Sequence, residues 1–385
     1  MRIGFDGSSI LPRRTGVGHY TNQLLRQLVL LAPEHEFIVF LNSLRHAPRR
    51  EPWMDAPNVR VRRGRFPGPA LLYAWRWFNR PPIERLVGRV DLFHSPATYV
   101  PPQRAGARVT TVHDLYFLRD PETCERLGGR FLAATLPRCV RELDRILAAS
   151  QSTRGDLIEL LGVPAERIAV VYEGVDGRFA RVEDPERRSA TRARYELPLH
   201  YLLFVGTIGP RKNVVRLIEG YAQARAERAD LPPLVVAGGR GKDVERVVRA
   251  VAACGVEPHV RFLGYVEHED LPALYSGADV FVLPSLYEGF GLPVLEAMAC
   301  GAPVVAGNNS SLRELVADRG FLVDAMRPSQ IAGGILWALT DRNLREQYVR
   351  NGLAFARQMT WERCARETLE VYREAVEERR IGFVV

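Results

Sequence analysis

The sequence predicts an α/β fold of two Rossmann-like, doubly wound domains. Its 385 residues are too many for one compact core and suit two domains. Short runs rich in β-branched residues alternate with amphipathic stretches, an arrangement typical of parallel sheets covered by helices. This alternation stops in a charged segment without strand signals, from Asp176 to Pro198, and then starts again. We therefore predict an N-terminal domain over 1–178, a linker at its end, and a C-terminal domain over 179–360.

The first domain has seven segments with strand character and four with the apolar period of helices. The strands are predicted over Ile3–Phe5, Phe37–Leu41, Val59–Val61, Val90–Phe93, Val109–Val112, Arg145–Ala148 and Ile168–Val171. The helices are predicted over Gly18–Leu31, Pro69–Val87, Thr123–Leu143 and Ser152–Leu161.

The second domain repeats the strand pattern six times and is followed by an amphipathic tail. Since no strand remains for the tail from Trp361 to Arg380 to cover, we expect a long helix, within 361–385, that crosses back onto the first domain. The strands are predicted over Tyr201–Val205, Leu234–Ala237, Val260–Leu263, Val280–Leu283, Pro303–Ala306 and Phe321–Val323.

The composition is that of an ordinary globular protein, with 46% hydrophobic and 25% charged residues. The start, MRIGFDGSSI, has no apolar stretch typical of a signal peptide, and no run reaches the roughly 18 apolar residues of a spanning helix. We expect a cytoplasmic protein. Five scattered cysteines without C-x-x-C spacing predict structural thiols rather than a disulfide framework or a zinc site. They are Cys124, Cys139, Cys254, Cys300 and Cys364.

Positive charge is concentrated in the segment 45–89, which has eleven arginines against three acidic residues. The segment also contains six aromatic residues, among them Trp75 and Trp77. Such a segment suits contact with anionic lipid headgroups, a phosphorylated acceptor or nucleic acid, and equally suits a solvated basic surface. The sequence leaves these alternatives open.

The most informative stretch is PSLYEGFGLPVLEAMACGAPVV, residues 284–305. Glu288 follows a strand, and the neighbouring Gly289 and Gly291 let the backbone N–H groups approach a ligand. Pro293 is placed to begin a helix, whose positive end suits an anion such as a diphosphate. Glu296, in the first turn of that helix, gives a second carboxylate that can accept hydrogen bonds from the hydroxyls of a ribose or a sugar. Acidic residues that only favour the helix dipole are the structural alternative.

The loop VGTIGPRKNVVRLIEG, residues 205–220, has two adjacent cations between a strand and a helix. Arg211 and Lys212 would there neutralise a diphosphate and stabilise it as a leaving group. A solvated corner with two basic residues is the alternative.

Two positions in the first domain are further candidates. His113 ends a strand, where a neutral imidazole suits a sugar hydroxyl or a phosphate, and Asp114 would fix the ring or cap the next turn. A satisfied core histidine is the alternative. Gly16 and Gly18 lie in RRTGVG before a helix, but Thr21 replaces the third glycine of a dinucleotide fingerprint, which argues against a nicotinamide dehydrogenase.

With these motifs the chain resembles, over nearly its whole length, the family-4 retaining glycosyltransferases of the GT-B fold. The resemblance depends most on the paired-glutamate motif, Glu288-x7-Glu296 inside EGFGLPVLEAMACG. Segments 150–176 and 260–285 and the tripeptide HDL at 113–115 are also similar to the family. In that fold two Rossmann-like domains face each other across a cleft, and the donor is a nucleotide diphosphate sugar.

The resemblance implies a role for each matching residue. Glu288 contacts the donor sugar and Glu296 the ribose, while Arg211 and Lys212 hold the phosphates. Arg211 adjoins Lys212 as in the subgroup with a G-T-x-x-P-R-K-N signature, and Thr207 stands where many members have arginine. The remaining roles are backbone contacts to sugar and phosphate (Phe290, Gly291, Leu292), contacts to the base (Gly264, Tyr265, Val266), the donor sugar (His113) and the phosphate (Gly16).

The resemblance also implies metal-independent transfer with retention by front-face attack, in which the departing phosphate takes the acceptor proton. Neither D-x-D nor H-E-x-x-H occurs in the sequence. We expect no cofactor, GDP-mannose as the donor, and a glycan or lipid-linked acceptor, with peripheral membrane contact through 45–89 and no nucleic acid. A sugar-nucleotide epimerase, a phosphorylase and a basic nucleic-acid-binding protein are the alternatives.

Overall fold

The computed structural model describes residues 1–10, 16–44, 50–96, 99–121 and 128–381. The chain forms two compact units, Met1–Gly174 with the chain from Trp361 onward, and Val175–Thr360. Three sequence predictions extend outside the described residues: Cys124, residues 45–49 of the arginine-rich segment, and residues 123–127 of a predicted helix. The same holds for Arg13, Arg14 and Thr15 of the RRTGVG loop.

The first unit contains a seven-stranded parallel sheet with the order β3-β2-β1-β4-β5-β6-β7. This doubly wound order places β1 and β4, where the winding direction reverses, at its centre. Each strand overlaps its predicted segment, with ends that differ by up to three residues. They are β1 (Arg2–Asp6), β2 (Glu36–Asn42), β3 (Val59–Gly64), β4 (Leu92–Ser95), β5 (Ala107–Val112), β6 (Arg145–Ala148) and β7 (Ile168–Val170).

Two predicted helices of this unit were too long. The helix predicted over 69–87 ends at Phe78, since Asn79 is left-handed with φ of 52° and two prolines follow that cannot continue it. The helix predicted over 123–143 is described from Gly128 and ends at Cys139. The helices are α1 (Gly16–Leu31), α2 (Gly68–Phe78), α3 (Glu84–Val87), α4 (Tyr116–Arg119), α5 (Gly128–Cys139) and α6 (Gln151–Leu161).

The second unit repeats this architecture with a six-stranded parallel sheet of order β10-β9-β8-β11-β12-β13. Its strands are near-continuous apolar runs because helices cover both faces of the sheet. All six lie within one residue of their predicted bounds. They are β8 (Leu202–Val205), β9 (Leu234–Ala237), β10 (Val260–Gly264), β11 (Val280–Leu283), β12 (Val304–Gly307) and β13 (Phe321–Val323).

The charged segment predicted as a linker contains a helix that the sequence reading missed. Asp184 caps it by accepting a hydrogen bond from the Glu186 N–H, and Pro185 is its first residue. The helices of this unit are α7 (Pro185–Arg194), α8 (Val214–Glu227), α9 (Val244–Ala253), α10 (Leu271–Ser276), α11 (Leu292–Ala299), α12 (Ser310–Val316), α13 (Pro328–Thr340) and α14 (Arg342–Gln358).

The last helix, α15 (Trp361–Ile381), belongs to the first unit, as predicted. It packs against α1 and β5. Its Tyr372 hydroxyl lies 2.5 Å from Nδ1 of the buried His94, whose Nε2 lies 2.9 Å from the Thr111 hydroxyl. This polar chain fixes the helix on the sheet, since buried polar groups without partners are costly.

Candidate active site

The carboxyl ends of β8 and β11 carry the two loops that the sequence singled out. These strands are neighbours at the point where the winding direction of the second sheet reverses. Ligands of doubly wound sheets bind at such a point, because the adjoining loops leave on opposite faces and open a crevice. The loop after β8 leads to α8, and the loop after β11 leads to α11.

At this point the structure brings Glu288, Arg211 and Lys212 together in one ion cluster. Lys212 Nζ lies 2.6 Å from Glu288 Oε1, and Arg211 Nη1 lies 2.7 Å from Glu288 Oε2. The Arg211 guanidinium also donates to the Tyr287 carbonyl at 2.8 Å. Because Glu288 is only 5% exposed, both of its oxygens are paired in a nearly dry environment. Two cations are thereby fixed beside one buried carboxylate.

The cluster lowers the pKa of Glu288 strongly. Burial alone would raise it, but the charges of Lys212 and Arg211 outweigh burial and bring the pKa down to about 2. A folded-state pKa below the unfolded value stabilises the fold above about pH 4.5, and this stabilisation is lost as the pH falls towards 2. The difference corresponds to about 3 kcal/mol.

Two serines that sequence reasoning missed hold the Glu288 loop. The Glu288 N–H donates to the Ser310 hydroxyl at 2.9 Å. The buried Ser311 hydroxyl lies within hydrogen-bond distance of the carbonyls of Glu288 (2.8 Å) and Phe290 (2.7 Å). The run Asn308–Ser311 between a strand and a helix was the available signal, since such residues bond nearby backbone.

Asn213, directly after the two cations, ties three strand ends together and was also missed. Its side-chain amide donates to the carbonyls of Pro284 (3.1 Å) and Ala325 (2.7 Å), which follow β11 and β13. It adopts a left-handed conformation with φ of 57°, which asparagine tolerates better than most residues. Asn213 therefore sets the position of the cation loop relative to the Glu288 loop.

The helix after Glu288 starts one residue earlier than predicted. Leu292 is the first residue of α11, preceded by Gly291 with φ of 111°, a value that L side chains rarely adopt. Pro293 is thus the second residue and Glu296 lies in the second turn rather than the first. The Tyr275 hydroxyl donates to Glu296 Oε2 at 3.0 Å. Glu296 is half-buried, and its desolvation raises its pKa to about 8, above the value of a carboxylate in water.

The residues predicted to contact a base lie at the carboxyl end of β10. Gly264 has φ of 71°, Tyr265 is exposed and Val266 is buried. The Gly264 carbonyl accepts a hydrogen bond from the Gly238 N–H at 2.7 Å. Gly238 is the first residue after β9, in the glycine-rich stretch AGGRGKD, which the sequence analysis did not single out. A Cβ at this position would collide with the Gly206 carbonyl oxygen, so the close approach of the two loops requires glycine.

His113 lies in the first unit, at the carboxyl end of β5, and both of its ring nitrogens have protein partners, as in the satisfied core histidine that the sequence left as the alternative. Nδ1 lies 2.9 Å from Glu173 Oε1, and Nε2 lies 3.0 Å from the Pro96 carbonyl oxygen. Both partners are acceptors, which favours the imidazolium form over a neutral ring. Burial by itself lowers the pKa of His113, but Glu173 outweighs burial and raises it. Asp114 instead accepts from the Tyr116 N–H at 3.2 Å, which is the capping alternative.

Gly16 is the first residue of α1 and is exposed. It belongs to the first unit with His113, whereas the ion cluster, Glu296 and the Gly264–Val266 segment belong to the second. The structure thus groups the predicted residues at the carboxyl edges of two sheets.

Comparison with known proteins identifies the family. The model for "Glycosyltransferase Family 4" matches residues 14–178, and the model for "Glycosyl transferases group 1" matches residues 192–355. O-antigen chain mannosyltransferase B of Escherichia coli is 33% identical over 383 residues, which cover 97% of this chain and 100% of the relative. The chain belongs to this glycosyltransferase family.

Solved structures agree with this assignment at the level of the fold. Sucrose-phosphate synthase from Thermosynechococcus elongatus superposes with a TM-score of 0.79 at 22% identity, covering 97% of this chain and 98% of that chain. Anabaena HepE in complex with UDP and glucose superposes with a TM-score of 0.71 at 20% identity, covering 97% and 100%. The predicted GT-B fold is confirmed.

Family membership identifies the class of enzyme. The enzyme is a glycosyltransferase. Among the described helices of the glycosyltransferase, none has the length and apolar character needed to cross a membrane.

The raised pKa of Glu296 predicts a pH-dependent stability of the ligand-free glycosyltransferase. A folded-state pKa of about 8, above the unfolded value of 4.5, means that the folded protein retains a proton that the unfolded chain releases. We expect the free energy of unfolding to fall as the pH rises from about 4.5 to 8. Urea unfolding at pH 5.5 and pH 8 measures this, and Glu296→Gln should flatten the trend. An equal slope in both proteins would contradict the raised pKa of Glu296.

Proposed function

We propose that this glycosyltransferase transfers a hexose from a nucleoside diphosphate sugar to a glycan or lipid-linked acceptor, and that the hexose is mannose. The observation that carries the proposal is the ion cluster of Arg211, Lys212 and Glu288 beside the start of α11. The diphosphate would lie against the first turn of α11, where backbone N–H groups and the helix dipole favour negative charge.

The two cations have the chemistry that the leaving group needs. Breaking the bond from sugar to phosphate leaves negative charge on the departing diphosphate, and preorganised cations in a partly dry site stabilise it strongly. In the absence of a donor, Glu288 supplies the negative charge that holds Arg211 and Lys212 in place. A donor diphosphate would take over part of this pairing and leave Glu288 to face the sugar.

The low basicity of Glu288 supports transfer with retention in which the departing phosphate, not Glu288, takes the acceptor proton. A carboxylate with a pKa of about 2 is a weak base, because its ionised form is already stabilised by two cations. A departing phosphate oxygen, next to the attacked carbon on the same face, is a stronger candidate for that proton. The expected metal independence fits this scheme, since Arg211 and Lys212 supply the positive charge.

The assignment of donor and acceptor is supported by relatives. The Escherichia coli relative, covered over its full length, is named a mannosyltransferase of an O-antigen chain. We propose GDP-mannose as the donor on that basis and on the GTIGPRKN sequence at 206–213. The HepE structure holds UDP and glucose, which makes UDP-glucose the second donor to test. We propose that the acceptor is met at a membrane surface through segment 45–89.

A thermal-shift panel with GDP, UDP, dTDP and ADP tests the donor class. A ligand at about 100 times its Kd adds roughly 2.7 kcal/mol of stability, and we expect GDP to give the largest shift. Glu296→Ala should abolish most of this shift, because the ribose hydroxyls lose their carboxyl partner. Glu346→Ala, a carboxylate removed from the exposed side of α14, is the matched control. Indifference to all four nucleotides would contradict the proposal, and equal shifts in wild type and Glu296→Ala would contradict the ribose role.

A further inference from the structure

A cavity of about 210 Å³ lies in the first unit, at the opposite edge of the sheet from His113. Its lining includes Arg108, the second residue of β5, and Glu142, which precedes β6. Strand starts in a parallel sheet share the amino-terminal edge. His113 follows the other end of β5, about 16 Å away at roughly 3.3 Å per residue. A ligand in this cavity is therefore separate from His113 at the carboxyl edge of the same sheet.

One wall of the cavity is aromatic. The rings of Trp75 and Tyr99 are stacked, with centroids 5.7 Å apart and planes 9° apart. Trp75 is buried and its indole N–H donates to the Pro81 carbonyl at 3.0 Å, which fixes the ring. A liquid water takes up about 30 Å³, so the cavity has the room of roughly seven waters, enough for a glycerophosphate group.

The charged lining of the cavity carries an excess of two positive charges, from three arginines and one glutamate. Glu142 is shared, because its carboxylate lies 3.0 Å from Arg108 Nη1 and 3.7 Å from Arg138 Nε. The Arg76 guanidinium lies over the rings of Trp77 (5.0 Å) and Phe131 (5.8 Å). Within the described ranges no carboxylate pairs with Arg76. An anion is the ligand that would balance this set.

Trp77 lines the cavity and belongs to a group of three exposed aromatic side chains on α2, which we call the aromatic rim. Tyr73, Trp77 and Phe78 are 57%, 62% and 65% exposed, and the Tyr73 ring lies 6.1 Å from each of the other two. Contiguous exposed aromatics are uncommon on a soluble surface and mark contact sites. Tyrosine and tryptophan favour the membrane interface, where one end of the ring is apolar and the other hydrated.

We propose that this cavity binds the phosphate headgroup of an anionic membrane lipid, with Arg76 and Arg138 on the phosphate and the aromatic rim of α2 in the membrane interface. The combination of net positive charge, headgroup-sized volume and an adjoining aromatic rim favours a lipid over a soluble anion, which has no use for the rim. The inference rests on the proposed membrane contact of segment 45–89 and is independent of the donor.

Cosedimentation with phosphatidylcholine vesicles, with and without phosphatidylglycerol, tests the proposal. The full chain should sediment only with the phosphatidylglycerol vesicles. Arg76→Gln should weaken this binding about fivefold, since one basic residue at an anionic surface contributes about that factor. Trp77→Ala should weaken it as well. Arg350→Gln, which removes the same charge from an exposed position on α14, should leave the binding unchanged.

Three outcomes would overturn the headgroup site. They are failure of the wild type to bind phosphatidylglycerol vesicles, equal weakening by Arg76→Gln and Arg350→Gln, and competition by soluble glycerol phosphate with no effect of Trp77→Ala. The nucleotide thermal shift of each variant reports its folding and its donor site separately. Failure of the wild type to bind the vesicles, with a normal nucleotide shift, overturns this inference alone, whereas vesicle binding by the wild type without any nucleotide shift overturns the proposed donor.

Discussion

Replacing Lys212 with methionine should lower kcat/KM for donor turnover by roughly 100- to 1,000-fold. The ammonium lies 2.6 Å from Glu288 Oε1 and its side chain is only 13% exposed, so water replaces it poorly. Loss of one preorganised donor to a developing oxyanion costs about two to three orders of magnitude. Nucleotide binding should weaken too, because the ground-state diphosphate already carries the charge that Lys212 contacts. Steady-state kinetics with the donor selected by the thermal-shift panel measures the effect.

Lys212→Arg is the matched control for charge. It keeps a cation at the position but replaces a compact ammonium with a planar fork, and the two groups bind oxygens differently. We expect it to recover nucleotide binding more fully than turnover. A loss below about tenfold for Lys212→Met would show that Arg211 and α11 suffice for the diphosphate, contrary to the role proposed here.

Much of the fold could be predicted because strand signals in a doubly wound protein are strong. The runs that became β8 and β11 are fully apolar, since both faces of the sheet are covered, and their ends are marked by polar loops. The parallel topology then dictates that the loops after β8 and β11 share one edge. That rule predicted that Lys212 and Glu288 lie close together, although it gives no distance between them.

Side-chain partners were harder to predict, because they depend on contacts between distant parts of the chain. His113 and Glu173 are 60 positions apart, and only the β5–β6–β7 arrangement brings Glu173 to the ring. Of the two roles that the sequence left open for Asp114, the nearest acid, the structure therefore shows the cap and not the contact with the ring. The raised pKa of Glu296 depends on its desolvation, which no spacing in the sequence reports.

Two helix boundaries were predicted wrongly, although the sequence contains the local signals that set them. The stretch Asn79–Pro82 combines a residue that tolerates the left-handed region with two prolines, and it ends α2 where the apolar period alone would continue. Asp184–Pro185 is an equally local start signal, but the highly charged α7 lacks the apolar face by which we recognised helices.

Replacing Glu288 with glutamine should have the opposite effect on nucleotide affinity from Lys212→Met. We expect turnover to fall at least 100-fold, because the carboxylate that we propose to face the donor sugar is lost, while nucleotide affinity rises. Arg211 and Lys212 would no longer be held by a carboxylate, so a diphosphate would not need to break their ion pairs. The free energy of unfolding at neutral pH should fall by about 3 kcal/mol, and the stability change between pH 4.5 and 2 should disappear.

The ligand dependence of that stability loss separates the catalytic role from a purely structural one. In Glu288→Gln, a bound nucleoside diphosphate supplies the negative charge that the two cations have lost. Its thermal shift should therefore exceed that of the wild type at equal nucleotide concentration, because in the wild type part of the binding free energy is lost in displacing Glu288. Glu346→Gln on the exposed side of α14 should show wild-type shifts throughout. If Glu288→Gln loses stability but gains no extra nucleotide shift, the cations do not exchange the carboxylate for a diphosphate, and the site must bind its donor in another way.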